Sequence, residues 1–169
     1  MQAKKITREQ IAARLDYNPQ TGVFTWRTVL PFSSVRVGGV AGSMTSTGYI
    51  EIYIEFARYR AHHLAWVLTY GVWPNDLIDH VDGNRSNNAI ANLREATKTT
   101  NAQNQRRAQR HNRLGILGVT QRKGDHAKPF QAMITVSGKA KYLGVFETAA
   151  EAHAAYLTAK RKLHEGCVI

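Results

Sequence analysis

The stretch that decides the reading is Leu77-Ile78-Asp79-His80-Val81-Asp82-Gly83-Asn84-Arg85-Ser86-Asn87-Asn88-Ala89-Ile90-Ala91-Asn92-Leu93, with Asn101 following it. Leu77 to Val81 has the composition of a short strand, and Asp82-Gly83-Asn84 is tight-turn chemistry. Successive side chains on a strand point to opposite faces, so Asp79 and His80 are free to do different jobs. The rest of residues 77–105 is polar and rich in asparagine, with few large apolar side chains. Such a segment cannot build its own core and must be held by the elements around it.

An imidazole beside a carboxylate, with neutral amide oxygens nearby, is the equipment that phosphodiester hydrolysis needs. One group takes a proton from water, and a cation offsets charge on the phosphate and on the departing oxygen. Asparagine supplies neutral oxygen ligands or hydrogen bonds that hold a loop. An isolated Asp-His pair is most often a turn or a surface hydrogen bond, so the argument rests on the whole block. The single cysteine, Cys167, precludes an intrachain disulfide and a multi-cysteine zinc cage. Any metal is therefore expected to sit on oxygen and imidazole ligands, with no structural zinc.

Charge points the same way. The 169-residue chain has a formal net charge of +11 and a pI near 10.1. A strongly cationic surface seeks a polyanion. Residues Arg94 to Lys141 hold eleven Lys or Arg against two acids, which places +9 of the +11 in that stretch. No apolar run approaches the roughly 18 residues of a membrane span. The opening MQAKKITREQ lacks the apolar core of a signal peptide, so a cytoplasmic protein acting on nucleic acid, with no membrane partner, is the expectation, and double-stranded DNA is the form that the family resemblance given below implies. Monomer and homodimer are both compatible with the sequence.

Outward from the central block, Thr7 and Gln10 form a capping-box pattern ahead of Ile11 and Leu15, which predicts a short N-terminal helix. Turn residues 18–22, the alternating Val23-Phe24-Thr25-Trp26 and the run 49–54 (YIEIYI) predict a small β scaffold. Ala61 to Tyr70 (AHHLAWVLTY) is read as a helix by its length and by the Gly71 stop. Of its adjacent histidines, His62 and His63, one is expected to be a packing residue. Residues 106–113 (RRAQRHNR) look like a basic helix tail and linker. Beyond them, 118–123, 130–146 with a Ser137-Gly138 turn, and 148–163 predict a strand, a hairpin and an amphipathic helix. The expected fold is α+β in two parts, residues 1–111 and 112–169.

The block reads D-H-x11-N-x8-N together with D-G-N, N-N and N-L-R-E-A-T elements. It resembles the HNH endonuclease motif of the bacteriophage and homing type, and the likeness extends back through YNPQTGVFTW and AHHLAWVLTYGVWP. The resemblance implies a ββα-metal unit of two strands and a helix around one divalent ion, Mg²⁺ for preference. It also implies His80 as general base, Asp79 and Asn101 as metal ligands, and Asn92 as the residue that fixes the loop and orients His80. Asn104, three residues beyond Asn101, is the alternative ligand. Arg85, Arg94, Arg106, Arg107 and Arg110 would hold the DNA backbone.

Residues 115–163 resemble the plant Apetala2 DNA-binding domain, on Gly118-Val119, Arg122, Phe130-Gln131-Ala132-Met133-Ile134, Gly138-Lys139, Tyr142-Leu143-Gly144-Val145-Phe146 and Thr148 to Ala152. That likeness implies a three-stranded antiparallel sheet packed on one helix, with Arg122, Lys123, Gln131, Lys139 and Lys141 reaching bases and phosphates. Phe130 stands where that family usually has Trp. The rival reading is a non-catalytic DNA-binding or regulatory protein that keeps the HNH fold. A second rival is an RNA-directed protein.

Overall fold

Thr7 starts the first element of the computed structural model, which describes residues 5–31 and 34–167. Its hydroxyl accepts from the Gln10 backbone N–H while the Gln10 side chain accepts from the Thr7 N–H, closing the expected capping box on helix α1 (Arg8–Arg14). Two of the otherwise orphan N–H groups at the helix start are satisfied this way. The chain then forms a hairpin of β1 (Leu15–Tyr17) and β2 (Phe24–Trp26). Its turn requires glycine at position 22, where φ is +74° and a Cβ would lie 2.3 Å from the backbone nitrogen of Ala89. The turn is thereby seated on the backbone of residues 88–89.

Strands β3 (Ser43–Met44), β4 (Ile50–Ile54) and β5 (Ala57–Arg60) form an antiparallel sheet with β4 in the centre. The two-residue β4–β5 turn has Glu55 and Phe56 at φ +48° and +62°, the primed geometry that matches strand twist but strains ordinary residues. Glu55 is tied to Arg14 at 3.2 Å. Helix α2 (Ala61–Tyr70) follows at once and ends where Gly71, at φ +80°, donates its N–H to Val67.

The core of this part sits between α2 and the sheets. Ala61, Leu64, Ala65 and Val67 of α2 are buried with Ile52 and Ile54 of β4, and Ile11, Leu15, Phe24, Ile78 and Leu93 complete the cluster. Burial of each such large aliphatic contributes about 1.5–3 kcal/mol. Through Ile78 and Leu93 the core anchors a further hairpin, β6 (Leu77–His80) antiparallel to β7 (Leu93–Ala96). Its connection contains a single 3₁₀ turn at Ile90–Asn92. The central block is thus held by its two strands while the polar loop between them stays at the surface.

The chain is α+β, with small antiparallel sheets and short helices. It divides into two compact units, residues 1–97 and 98–169. The second unit begins with α3 (Lys98–Gln103), so residues 98–111 group with the C-terminal part, where composition alone put the division near 112. After Gln103 the basic segment 106–113 is turn and coil rather than the expected helix tail.

In that second unit β8 (Val119–Gln121), β9 (Phe130–Val136) and β10 (Lys139–Phe146) form the expected three-stranded antiparallel sheet, in the order β10-β9-β8. Ser137 and Gly138 make the tight turn, at φ +49° and +76°. Helix α4 (Ala149–Leu163), capped by a Thr148–Glu151 box, packs on the sheet over Val119, Ala132 and Ala152. Small side chains let helix and sheet approach closely. Gly118, at φ +77°, is required here because a Cβ would fall 2.0 Å from the Tyr156 ring.

Candidate functional site

The hairpin β6–β7 sets Asp79 opposite Arg94 and His80 opposite Leu93. Both Asp79 and His80 are buried, at 5% and 4% exposure. The Arg94 guanidinium donates to Asp79 Oδ2 from Nε at 3.1 Å and from Nη2 at 2.9 Å. Arg94, expected to hold DNA backbone, is in this structure the partner of the carboxylate.

His80 points to the other side of the strand, into a cluster of rings. His62 of α2 meets it edge to face at 5.0 Å between centroids, and Tyr49 lies at 6.0 Å. His63 is 4.4 Å from His62. The His80 Nε2 is 3.3 Å from Asn88 Oδ1. The Asn88 amide is oriented by its Nδ2, which donates to the Ser86 carbonyl at 3.1 Å. An amide oxygen only accepts, so this contact places the ring proton on Nε2 and the lone pair on Nδ1.

The loop 81–92 is a web of asparagine hydrogen bonds around Asp82. Its Oδ1 accepts from the Asn84 N–H at 2.7 Å and from Asn92 Nδ2 at 2.9 Å, and its Oδ2 accepts from Asn87 Nδ2 at 2.7 Å. Asn92 also donates to the Asn87 carbonyl at 2.8 Å and accepts from the Asp82 N–H at 2.9 Å. Asn92 thus ties Asp82 to the Asn87 carbonyl, while the contact to the His80 ring is made by Asn88. Asn88 was legible only as a turn residue. It is 2% exposed, and Tyr17 donates to its carbonyl at 2.8 Å.

The electrostatics follow from burial. Burial lowers the His80 pKa, opposed by the Asn88 contact and by the charges of Asp82 and Asp79. His62 is pushed down to about 2, by burial first and then by His63, His80 and Arg60. His63 is lowered for the same leading reason. Three neutral imidazoles thus share one corner, and His62 Nδ1 is buried without a hydrogen-bond partner. For Asp82, burial favours the neutral acid, but the hydrogen bonds from Asn87, Asn84 and Asn92 outweigh it and hold the carboxyl below its usual value. A neutral buried imidazole with an ordered lone pair is a proton acceptor at neutral pH.

Residues 59–103 match the family described as HNH endonuclease. The matched segment runs from β5 through α2, the β6–β7 hairpin and α3, and so contains His62, Asp79, His80, Asn92 and Asn101. The HNH match supports a nuclease, DNA-directed role for that part of the chain. No curated protein and no solved structure matches the chain.

The remaining expected residues fall in separate places. Arg85 is exposed and close to the ring cluster around His80, with Nη1 donating to the Thr47 carbonyl at 3.0 Å and the guanidinium 5.0 Å from the Tyr49 ring centre. Asn101 lies on α3 and is half-buried, and Asn104, just past that helix, is buried; both group with the second unit. Arg106, Arg107 and Arg110 are exposed on the coil that follows.

In the second unit's sheet, Gln131 falls on the open face with Thr120, Met133 and Tyr142, by the register Thr120↔Gln131 and Tyr142↔Met133. Lys139 and Lys141 pair with Val136 and Ile134, whose face is the one that turns toward α4, although both lysines are exposed. Arg122 and Lys123 are exposed at the start of the β8–β9 loop. Phe130 packs against the small core, whereas Tyr142 is 58% exposed. Among the described residues no helix is long and apolar enough to cross a membrane.

Proposed function

We propose that this protein is a metal-dependent DNA endonuclease, and the observation that carries the proposal is the buried His80, set beside Asp79 on β6 with its Nε2 3.3 Å from Asn88 Oδ1. In this reading His80 Nδ1 takes the proton of the attacking water. Asn88 and the edge of His62 keep the ring at one angle, and the Asp82–Asn87–Asn92 web keeps Asn88 in place. Burial does the rest, since a ring that resists protonation remains a base at neutral pH.

The donor chemistry at Asp79 fits a divalent ion. A carboxylate oxygen such as that of Asp79 is a hard donor, suited to Mg²⁺ or Mn²⁺ with water completing the shell. Among the described residues no group of three or more His, Cys, Asp or Glu is placed to hold an ion. Asp79 is the residue of the first unit assigned to it; Asn101, with Asn104 as the alternative, is carried over from the family resemblance alone. When bound, the ion supplies charge for the phosphate and for the departing 3′ oxygen. Arg94 lies against the Asp79 carboxylate inside the hairpin, 2.9 Å from Oδ2.

Arg85 is assigned to the phosphate next to the site. Sequence recognition is assigned to residues 112–169, on the Apetala2 resemblance and on a sheet backed by one helix, with Arg122, Lys123 and Gln131 the leading contacts and Lys139 and Lys141 at its edge. The deciding experiment incubates supercoiled duplex DNA with wild type and His80→Ala, with Mg²⁺, with Mn²⁺ and with EDTA. Nicking or linearisation that requires both metal and His80 is expected. DNA that is bound but cut under no condition would favour the non-catalytic binding protein instead.

A further inference from the structure

The outer face of the β4–β5 hairpin carries a series of tyrosine and arginine side chains that the HNH motif does not include. By register Glu51 lies opposite Arg60 and Tyr53 opposite Arg58, so these four share one face. The other face is closed by Ile52 and Ile54, both buried in the core. Tyr49 stands two residues before Glu51, on the same alternation. The Arg60 guanidinium is 4.6 Å from the Tyr49 ring centre, Arg85 reaches the same ring at 5.0 Å, and Arg58 is 5.9 Å from that of Tyr53. Tyr49 in turn is the ring beside His80.

From this arrangement we infer that the outer face of the β4–β5 hairpin is a phosphate track that leads one strand of duplex DNA into the His80 site. The inference rests on the endonuclease reading and adds the surface that delivers its substrate. A guanidinium laid against an aromatic ring has its position fixed by the ring while its edge keeps N–H donors for a phosphate. Arg58 and Arg60 are two residues apart, about 7 Å along a strand. That is of the order of the spacing between successive phosphates of one strand.

Charge complementarity selects the occupant. Arg60 is joined to Glu51 at 3.3 Å, which leaves Arg58 and Arg85 as the uncompensated charges on this face. Arg58 is exposed and, among the described residues, meets no carboxylate. Simple sheet stabilisation accounts for cross-strand Tyr53–Arg58 and Glu51–Arg60 pairs. It does not account for Arg85, which comes from the loop of the catalytic block and turns back onto Tyr49.

The test uses the full chain carrying His80→Ala, so that binding is read without cleavage. Anisotropy of a fluorescein-labelled mixed-sequence duplex is followed across a KCl series, with Arg58→Gln and Arg58→Lys added in turn. Loss of one phosphate contact should make the slope of log affinity against log salt shallower by about 0.9 and weaken binding about fivefold near physiological salt, for Gln and not for Lys. Equal slopes and affinities for parent and Arg58→Gln would overturn the track and leave the endonuclease reading standing. Equal losses for Gln and Lys would overturn it too, since then geometry rather than charge is at stake. A parent that binds no duplex at all would overturn both.

Discussion

Arg94 closes on Asp79 across the β6–β7 hairpin, with two nitrogens on the same carboxylate oxygen at 2.9 and 3.1 Å. The pair is lopsided, since the Asp79 side chain is 6% exposed and that of Arg94 is 29%. Removing the arginine leaves a carboxylate in a place that water barely reaches. Removing the carboxylate leaves an arginine that can turn to solvent.

Arg94→Gln is therefore expected to cost about 1–3 kcal/mol, below the roughly 3–5 kcal/mol of a fully buried pair because the guanidinium is partly screened. Urea unfolding measures it. Asp79→Asn combined with Arg94→Gln should recover part of the loss, because the uncompensated charge is gone. Wild-type stability in Arg94→Gln would show that the pair contributes nothing.

The divalent ion proposed at Asp79 would stabilise the folded chain by mass action, by about 2.7 kcal/mol at a hundredfold excess over Kd. The thermal midpoint of His80→Ala should rise with Mg²⁺ and fall back with EDTA, and adding Asp79→Asn should abolish the rise. An unchanged Mg²⁺ response in that double variant would remove Asp79 from the ligand set.

Asn92 makes side-chain bonds to the Asp82 N–H, to Asp82 Oδ1 and to the Asn87 carbonyl. Asn92→Ala should cost about 2–3 kcal/mol at roughly 1 kcal/mol per bond, and should lower cleavage through Asn88 and His80. Asn92→Asp should be worse at neutral pH, because it sets a second carboxylate against Asp82. That gap should close as pH falls through the carboxylate range. Equal unfolding energies for Ala and Asp at every pH would refute the account.

His62 ties stability to pH. Its pKa is about 2 in the folded chain against an ordinary 6.5, so the unfolded chain binds the extra proton between those values. Stability then rises with pH across that window: it is fully present above 6.5 and is lost as pH falls toward about 2. One proton corresponds to about 1.4 kcal/mol per pH unit. Unfolding free energies measured from neutral to mildly acidic pH should show this slope in wild type and a shallower one in His62→Asn. Identical slopes would mean that the buried imidazole takes up its proton without unfolding.

Much of the fold was legible because local chemistry and global packing agree. Capping residues Thr7 and Thr148, the Gly71 stop, the Ser137-Gly138 turn and the alternation at 49–54 each act within a few residues, and each produces the expected element. Residues 106–113, expected as a basic helix tail and linker, are turn and coil because the basic residues there carry no periodic apolar face to anchor a helix. For the same reason the division between the two units falls ahead of α3 and not at 112: contacts, not composition, assign that helix to its neighbours.

The sequence by itself determined the chemistry available, with Asp79, His80 and Asn92 at spacings that define the block. Only the tertiary structure decided which atoms meet. Arg94 belongs to Asp79 because strand register sets them opposite each other thirteen backbone positions after the loop begins at Val81. Asn88, rather than Asn92, reaches the His80 ring because the web around Asp82 folds the loop back on itself. His62 joins the site from a helix eighteen residues upstream because α2 packs its apolar face, and that imidazole with it, against the core that also carries β6. Each of these contacts spans a chain distance over which residue spacing holds no directional information, and packing alone supplies it.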